Sequence, residues 1–295
     1  MTINKPEDLN KVIGGLRITS YEQLKNEITT KIQMLKNSSS NEYFEFFRGQ
    51  GLEKYKLECG LARLTNDSSK IKKMDIELQD RFLQEIYNGK VVALEDSINP
   101  EFNPSFEKQW KLNFQAQHLG LKTRLLDWSI DWQIGLLFAV ENENHFGSDG
   151  QFWIFYCPKK WRYNFSRSEE IYTKDLTNIE SPYLVNMPFV LNEQWEEQIG
   201  IIKAWRQSGR FFVQSYEQST IPMEENDEFI PYLIKFIIDG KSKEKIKEDL
   251  YKDGLSIEWV NNQSEQNFDG KLYRTKHNVN SKLKIINNEI IEKYN

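Results

Sequence analysis

The sequence predicts an α+β fold, with a single mixed or antiparallel sheet flanked by helices. Three observations lead there. Gly150 to Cys157 reads Gly-Gln-Phe-Trp-Ile-Phe-Tyr-Cys, apolar on both faces, as a central strand covered from either side would be. Met74, Leu78, Phe82 and Ile86 recur at helical spacing with Lys72, Glu77 and Asp80 between them, the pattern of a helix with one buried stripe and one solvated side. Among 295 residues there are 18 Phe, 13 Tyr and 8 Trp, an aromatic load that belongs to a folded chain with a core to bury it in.

Taken in order, residues 1–19 are a lead-in with a short strand around Leu16–Ile18, residues 20–260 the main domain, and residues 261–295 a polar extension expected as a hairpin or loosely packed tail. Ser20 and Gln23 make a capping-box pattern before a helix that buries Leu24, Ile28, Ile32 and Leu35. Glu42 to Gly49 is an aromatic strand ending in Arg48 and a Gly. Phe106, Trp110, Phe114 and His118 mark a helix that Gly120 terminates. Asp127 or Ser129 then caps a helix burying Trp132, Leu136, Leu137 and Val140, with Gly135 and Ala139 allowing close packing. Residues 162–181 read as a surface insertion, Tyr183–Leu191 as a strand interrupted by Pro188, and Trp195, Ile199, Ile202 and Trp205 as another helical stripe. Strands follow at Phe211–Gln214 and Tyr232–Ile238, and a helix from Lys243 ends at Gly254 with Leu255 placed for a Schellman contact.

Composition removes several function classes. A net charge of −5 with both signs interspersed encodes no broad attraction to a phosphate backbone, so nucleic acid is not an expected partner. Two Cys and three His, none at ligand spacing, predict neither a disulfide framework nor a metal site. No basic leader and no window of 18 apolar residues is present, which predicts a cytoplasmic protein with no membrane partner.

None of the standard catalytic signatures occurs: no Gly-rich phosphate loop, nucleophile elbow, zincin helix or dinucleotide fingerprint. Three polar clusters remain: Arg48-Gly49-Gln50; Gln117-His118 with Thr123, Arg124 and Asp127; and Arg206-Gln207 with Gly209. A purely structural account of the middle cluster pairs Arg124 with Asp127, lets Gln117 and Thr123 satisfy backbone groups at a buried turn, and makes His118 a core histidine. On that account the tryptophans are core, with at most one of Trp128 and Trp132 lining a pocket. Arg48 and Gln207 each have a Gly neighbour, which suits a backbone approaching a ligand.

In order, Phe47-Arg48-Gly49, then Gln117-His118-Leu119-Gly120-Leu121-Lys122-Thr123-Arg124-Leu125-Leu126-Asp127-Trp128 with Leu137-Phe138-Ala139-Val140, then Arg206-Gln207-Ser208-Gly209-Arg210-Phe211, resemble the bacterial FRG domain, named for its Phe-Arg-Gly tripeptide. Lys122 stands where that motif commonly has Pro. The family resemblance implies a bacterial defence or toxin-type setting and, by analogy, an ADP-ribosyltransferase-like arrangement. In that arrangement an early basic residue grips NAD and a late polar residue orients the ribose or acceptor.

Arg48, Gln207 and Asp127 are then the expected catalytic residues. Gly49, Gln117, His118, Thr123, Arg124, Trp128, Arg206, Gly209 and Phe211 are the expected ligand-binding ones. NAD is the candidate substrate, with a macromolecular acceptor or a defence-system partner beside it, and no metal. Gln207 cannot ionise, so the charge needed by an oxocarbenium-like centre would come from Asp127, Glu193, Glu196 or Glu197. The expected chemistry is ADP-ribosyl transfer or NAD glycosidic cleavage; the alternative is a non-catalytic sensing module, and a nucleic-acid-processing role ranks third.

Overall fold

In a computed structural model that describes residues 5–32, 35, 43–87, 113, 116–117, 120–163, 183–186, 209–257 and 271–294, eight strands form one mixed sheet. The strands are β1 (Arg17–Ile18), β2 (Tyr43–Gln50), β3 (Leu125–Ser129), β4 (Gly150–Pro158), β5 (Arg162–Tyr163), β6 (Tyr183–Asn186), β7 (Gly209–Val213) and β8 (Leu233–Ile238). Their spatial order is β1-β8-β4-β2-β3-β7-β6-β5, antiparallel except for the outermost pairs β1 with β8 and β5 with β6. This is the α+β architecture with a single mixed sheet that the sequence predicts.

The run that is apolar on both faces is β4, and it lies between β8 and β2 with every residue buried. Because side chains alternate across a strand, its residues divide between two cores. Phe152, Ile154 and Tyr156 join the cluster under the first helices, while Trp153, Phe155 and Cys157 join the aromatic cluster of Phe46, Trp128, Trp161, Phe212 and Phe229 on the opposite face. A polar residue anywhere along β4 would therefore lose its water whichever way it pointed.

Helices α1 (Pro6–Ile13) and α2 (Tyr21–Glu27) cover the first of these faces, so the lead-in contributes Leu9 and Ile13 to the core. Ser20 caps α2 by accepting the Gln23 N–H, and Gln23 returns its side-chain oxygen to Thr19 N at 2.9 Å. Helix α3 (Ser68–Tyr87) buries Met74, Leu78 and Phe82 as its spacing requires. Helix α4 (Trp132–Val140) is capped by Asp131, which accepts from Gln133 N at 2.8 Å. Neither Asp127 nor Ser129 is the cap, because β3 runs through Ser129 and the chain turns only after it. Gly120 and Gly254 have φ of 97° and 85°, and each closes a Schellman motif: Leu121 N–H to Ala116 O at 2.9 Å, and Leu255 N–H to Leu250 O at 3.1 Å after helix α5 (Lys243–Lys252). Of the expected elements, residues 106–112, 114, 164–181 and 187–206 lie outside the described residues.

Residues 271–294 are not a hairpin or a tail. They form helix α6 (Lys271–Tyr294), whose Leu283, Ile286 and Ile290 are buried against the α3 stripe. Asn287 on the same face donates to Gly120 O at 3.0 Å and accepts the Lys122 N–H at 3.1 Å. A Pro at position 122 would have no N–H to give, so the lysine and this asparagine form a matched pair.

Helix α4 rests on β2 with almost no clearance. A Cβ on Gly49 would lie 1.9 Å from the Gly135 carbonyl oxygen and 2.7 Å from Ala139 N, both backbone atoms. At the edge of the sheet, Arg17 forms a fork with Asp149 at 2.9 and 2.8 Å and reaches Asp239 at 3.1 Å. Arg17, and after it the Gly240 N–H, holds the Asp149 carboxyl below the ordinary aspartate range.

Gly49→Ala is expected to cost at least about 3 kcal/mol in a urea melt, since backbone rather than a movable side chain blocks the added methyl. The depressed Asp149 favours the folded state when ionised; its contribution is complete above the unfolded aspartate pKa of about 4 and disappears as the pH falls through the lower folded value. Asp149→Asn should therefore be less stable than the parent at pH 7 and show a shallower further loss between about pH 5 and pH 3, read from denaturation midpoints.

Candidate functional site

Strands β2 and β4 are in register over eight pairs, but β2 and β3 share only one, Phe47 with Ser129. Beyond that pair the two strands part, and Arg48 spans the opening by donating from Nη1 to the carbonyl oxygen of Asp127. A cavity of about 650 Å³ lies at this fork. Its walls come from β2 (Arg48, Gly49), β3 (Asp127, Trp128), β7 (Gly209, Phe211), the loop carrying Lys54 to Glu58 with Arg63, Phe138 of α4, and Glu141, Asn142 and His145 after that helix. That volume is in the range that small-molecule sites occupy.

Two guanidinium groups meet here. Desolvation lowers the Arg48 pKa to about 10, with Asp127 acting in the opposite sense and Arg63 in the same sense. Arg48 remains a cation at neutral pH. Arg63 donates to Glu58 O at 3.1 Å, so each arginine is bonded to a backbone carbonyl, and among the described residues neither has a carboxylate within ion-pair distance. Arg48 Nε and Trp128 Nε1, from two cavity-lining residues, are buried N–H groups without a hydrogen-bond acceptor among the described residues. Buried donors of this kind ordinarily find a partner. An anion in the cavity would supply one and would also relieve the repulsion between the arginines.

Asp127 is held in place by a relay. Thr123 Oγ1 donates to Gln117 Oε1, and Gln117 Nε2 donates to Asp127 Oδ1 at 2.5 Å. Thr123 also accepts the Leu125 N–H at 3.2 Å. The turn thus fixes the carboxylate at the cavity without itself forming the wall.

Apart from Gln50, the opposite rim is built from residues that the sequence did not single out. Gln151 Nε2 donates to Tyr55 O and to Gln50 Oε1, and Gln50 Nε2 donates to Lys56 O at 3.0 Å. Tyr55 meets the His145 ring edge to face at 6.0 Å. Beneath them Lys243, 0% exposed, donates to Gly51 O at 2.5 Å and to His145 O at 3.1 Å. Burial pulls its pKa down, and Asp149 partly restores it.

Of the residues expected from sequence, Arg48, Gly49, Asp127, Trp128, Gly209 and Phe211 line one cavity. Gln117 and Thr123 stand behind Asp127. Trp132 stacks on Tyr21 at 5.6 Å, away from the cavity. Arg124 does not line the cavity and does not pair with Asp127. Its guanidinium lies 3.8 Å over the Tyr216 ring, donates to Gln214 O at 2.9 Å and pairs with buried Asp75 at 3.6 Å. It sits at the bend before β3, where the chain is not yet extended, so strand alternation does not govern its direction. His118, Arg206 and Gln207 lie outside the described residues.

Among the described residues no helix is long and apolar enough to cross a membrane, and no three or more His, Cys, Asp or Glu are grouped to hold a metal ion. The family model of the FRG domain matches residues 44–148. No curated protein and no solved structure matches the chain significantly.

Asp75→Ala would strand the buried Arg124 charge and is expected to cost about 3–5 kcal/mol, measured by chemical denaturation. Asp75 is not part of the cavity wall, so ligand affinity of the remaining folded protein should be unchanged.

Proposed function

We propose that this chain, whose residues 44–148 match the FRG domain model, binds an anionic, nucleotide-like ligand in the cavity at the β2–β3 fork, with NAD the leading candidate. The observation that carries the reading is the pair of guanidinium groups, Arg48 and Arg63, on one cavity, with buried donors at Arg48 Nε and Trp128 Nε1 that lack acceptors among the described residues. A guanidinium presents a planar fork that suits the oxygens of a phosphate.

The chemistry that fits is attack at the nicotinamide-bearing ribose carbon. The C1′–N bond breaks, its electrons leave with neutral nicotinamide, and water or an acceptor nucleophile supplies the new bond and gives up a proton. Asp127 is the described carboxylate beside Arg48, and Gln117 orients it. An ionised carboxylate there would stabilise positive charge developing on the ribose and take the proton of the incoming group. Gln207, just before the wall residue Gly209 in sequence, would bond a ribose hydroxyl. The setting we infer from the family resemblance is a bacterial defence or toxin-type effector acting in the cytoplasm.

A second reading, a sensing module that binds without turnover, is favoured by one observation. Asp127 is engaged at both its carboxylate and its carbonyl, by Gln117 and Arg48.

NAD titration by calorimetry and nicotinamide release in lysate test the proposal together. Arg48→Ala should weaken NAD binding by roughly tenfold or more, the value of a hydrogen bond to a charged group. Asp127→Asn should leave NAD affinity within about threefold while lowering nicotinamide release at least about 100-fold. Binding without release in the parent selects the sensing module. Absence of both binding and release overturns the proposal.

A further inference from the structure

We propose that the cavity is divided into two ends and takes a nucleoside diphosphate, with the phosphates at Arg48 and Arg63 and the base against the Tyr55–His145 edge. This rests on the function proposed above and specifies the ligand class and its orientation. The two ends are chemically distinct and spatially separate. Arg48 and Gly51 are three residues apart on extended chain, roughly 10 Å, and a Cβ on Gly51 would lie 2.4 Å from His145 Nδ1, so the imidazole occupies the space where a side chain is missing. At that end stand the Tyr55 and His145 rings; at the other stand the two guanidinium groups.

Tyr55 is 42% exposed, an unusual state for an aromatic ring bordering a cavity, yet its loop is tied down. Gln50 and Gln151, 6% and 1% exposed, are registered opposite each other on β2 and β4 and place their amides on the Tyr55 and Lys56 carbonyls. Two buried amides therefore hold an open aromatic face in position before any ligand arrives. Ordering the loop in advance removes a cost that binding would otherwise meet. A flat ring with one free face recognises a base by stacking, without needing a particular hydrogen-bond pattern. Inorganic phosphate would have no use for this edge, and an uncharged nucleoside would have none for the arginines.

The test is calorimetric titration of the full chain with ADP, pyrophosphate and adenosine, on the parent, Tyr55→Ala, Tyr55→Phe and Arg63→Ala, each checked for an unchanged melting midpoint. ADP should bind at least about tenfold more tightly than pyrophosphate, and Tyr55→Ala should remove most of that difference while leaving pyrophosphate affinity within about twofold. Tyr55→Phe should behave as the parent, and Arg63→Ala should weaken ADP and pyrophosphate alike. Equal affinity for ADP and pyrophosphate, unaffected by Tyr55→Ala, overturns the base end and leaves the anion reading intact. Adenosine binding as tightly as ADP, insensitive to Arg63→Ala, overturns the phosphate end. If none of the three probes binds while NAD does, the division into two ends is wrong and the function above stands; if NAD also fails, both fall.

Discussion

At the fork between β2 and β3, α4 lies directly on the backbone of β2. With the Gly135 carbonyl occupying the place of a Gly49 side chain, the helix axis comes closer to the sheet than side-chain packing would allow. Phe138 near the end of α4, and Glu141, Asn142 and His145 in the segment that follows it, thereby line one wall of the cavity with Arg48. The glycine after Arg48 invites the interpretation that a ligand approaches it closely. Its demand for space is set instead by a neighbouring helix, and the cavity lies beside that contact.

What could be read from the sequence was local in origin. The run Gly150–Cys157 that is apolar on both faces, the caps at Ser20, Gly120 and Gly254, and the stripe of α3 each depend on residues a few positions apart, and each is present in the fold. What could not be read depends on partners distant in the chain. Arg124 finds Asp75 rather than Asp127, and Gln50 finds Gln151 across β2 and β4. Tyr55 and His145, separated by 90 positions, are uninformative until the sheet brings them together. The gathering of Arg48, Asp127, Gly209 and Phe211 was legible only through the motif order of a family, since no periodicity links three strands so far apart in sequence.

Helix α6 was misjudged for a different reason. Its Asn- and Lys-rich composition speaks for a solvated segment, and composition is dominated by the outward face. Leu283, Ile286 and Ile290 nevertheless keep helical spacing, and Asn287 among them is buried to hold the Gly120–Lys122 turn. A single polar residue on an apolar stripe serves here as a bracket for the turn that, through Thr123 and Gln117, orients Asp127.

Lys243 connects the site to a part of the chain that the FRG match does not include. The match ends at residue 148, immediately before β4, the strand that lies between β2 and β8. It also omits Gly209 and Phe211 on one wall and the lysine whose ammonium ties together Gly51 and His145 on the other. The recognisable motif is therefore not a unit that could be excised. Cut at its boundaries, it would keep Arg48 and Asp127 but leave one long edge of β2 unpaired and two inward carbonyls without their cation, so for this protein the piece that can be identified and the piece that can fold are different lengths of chain.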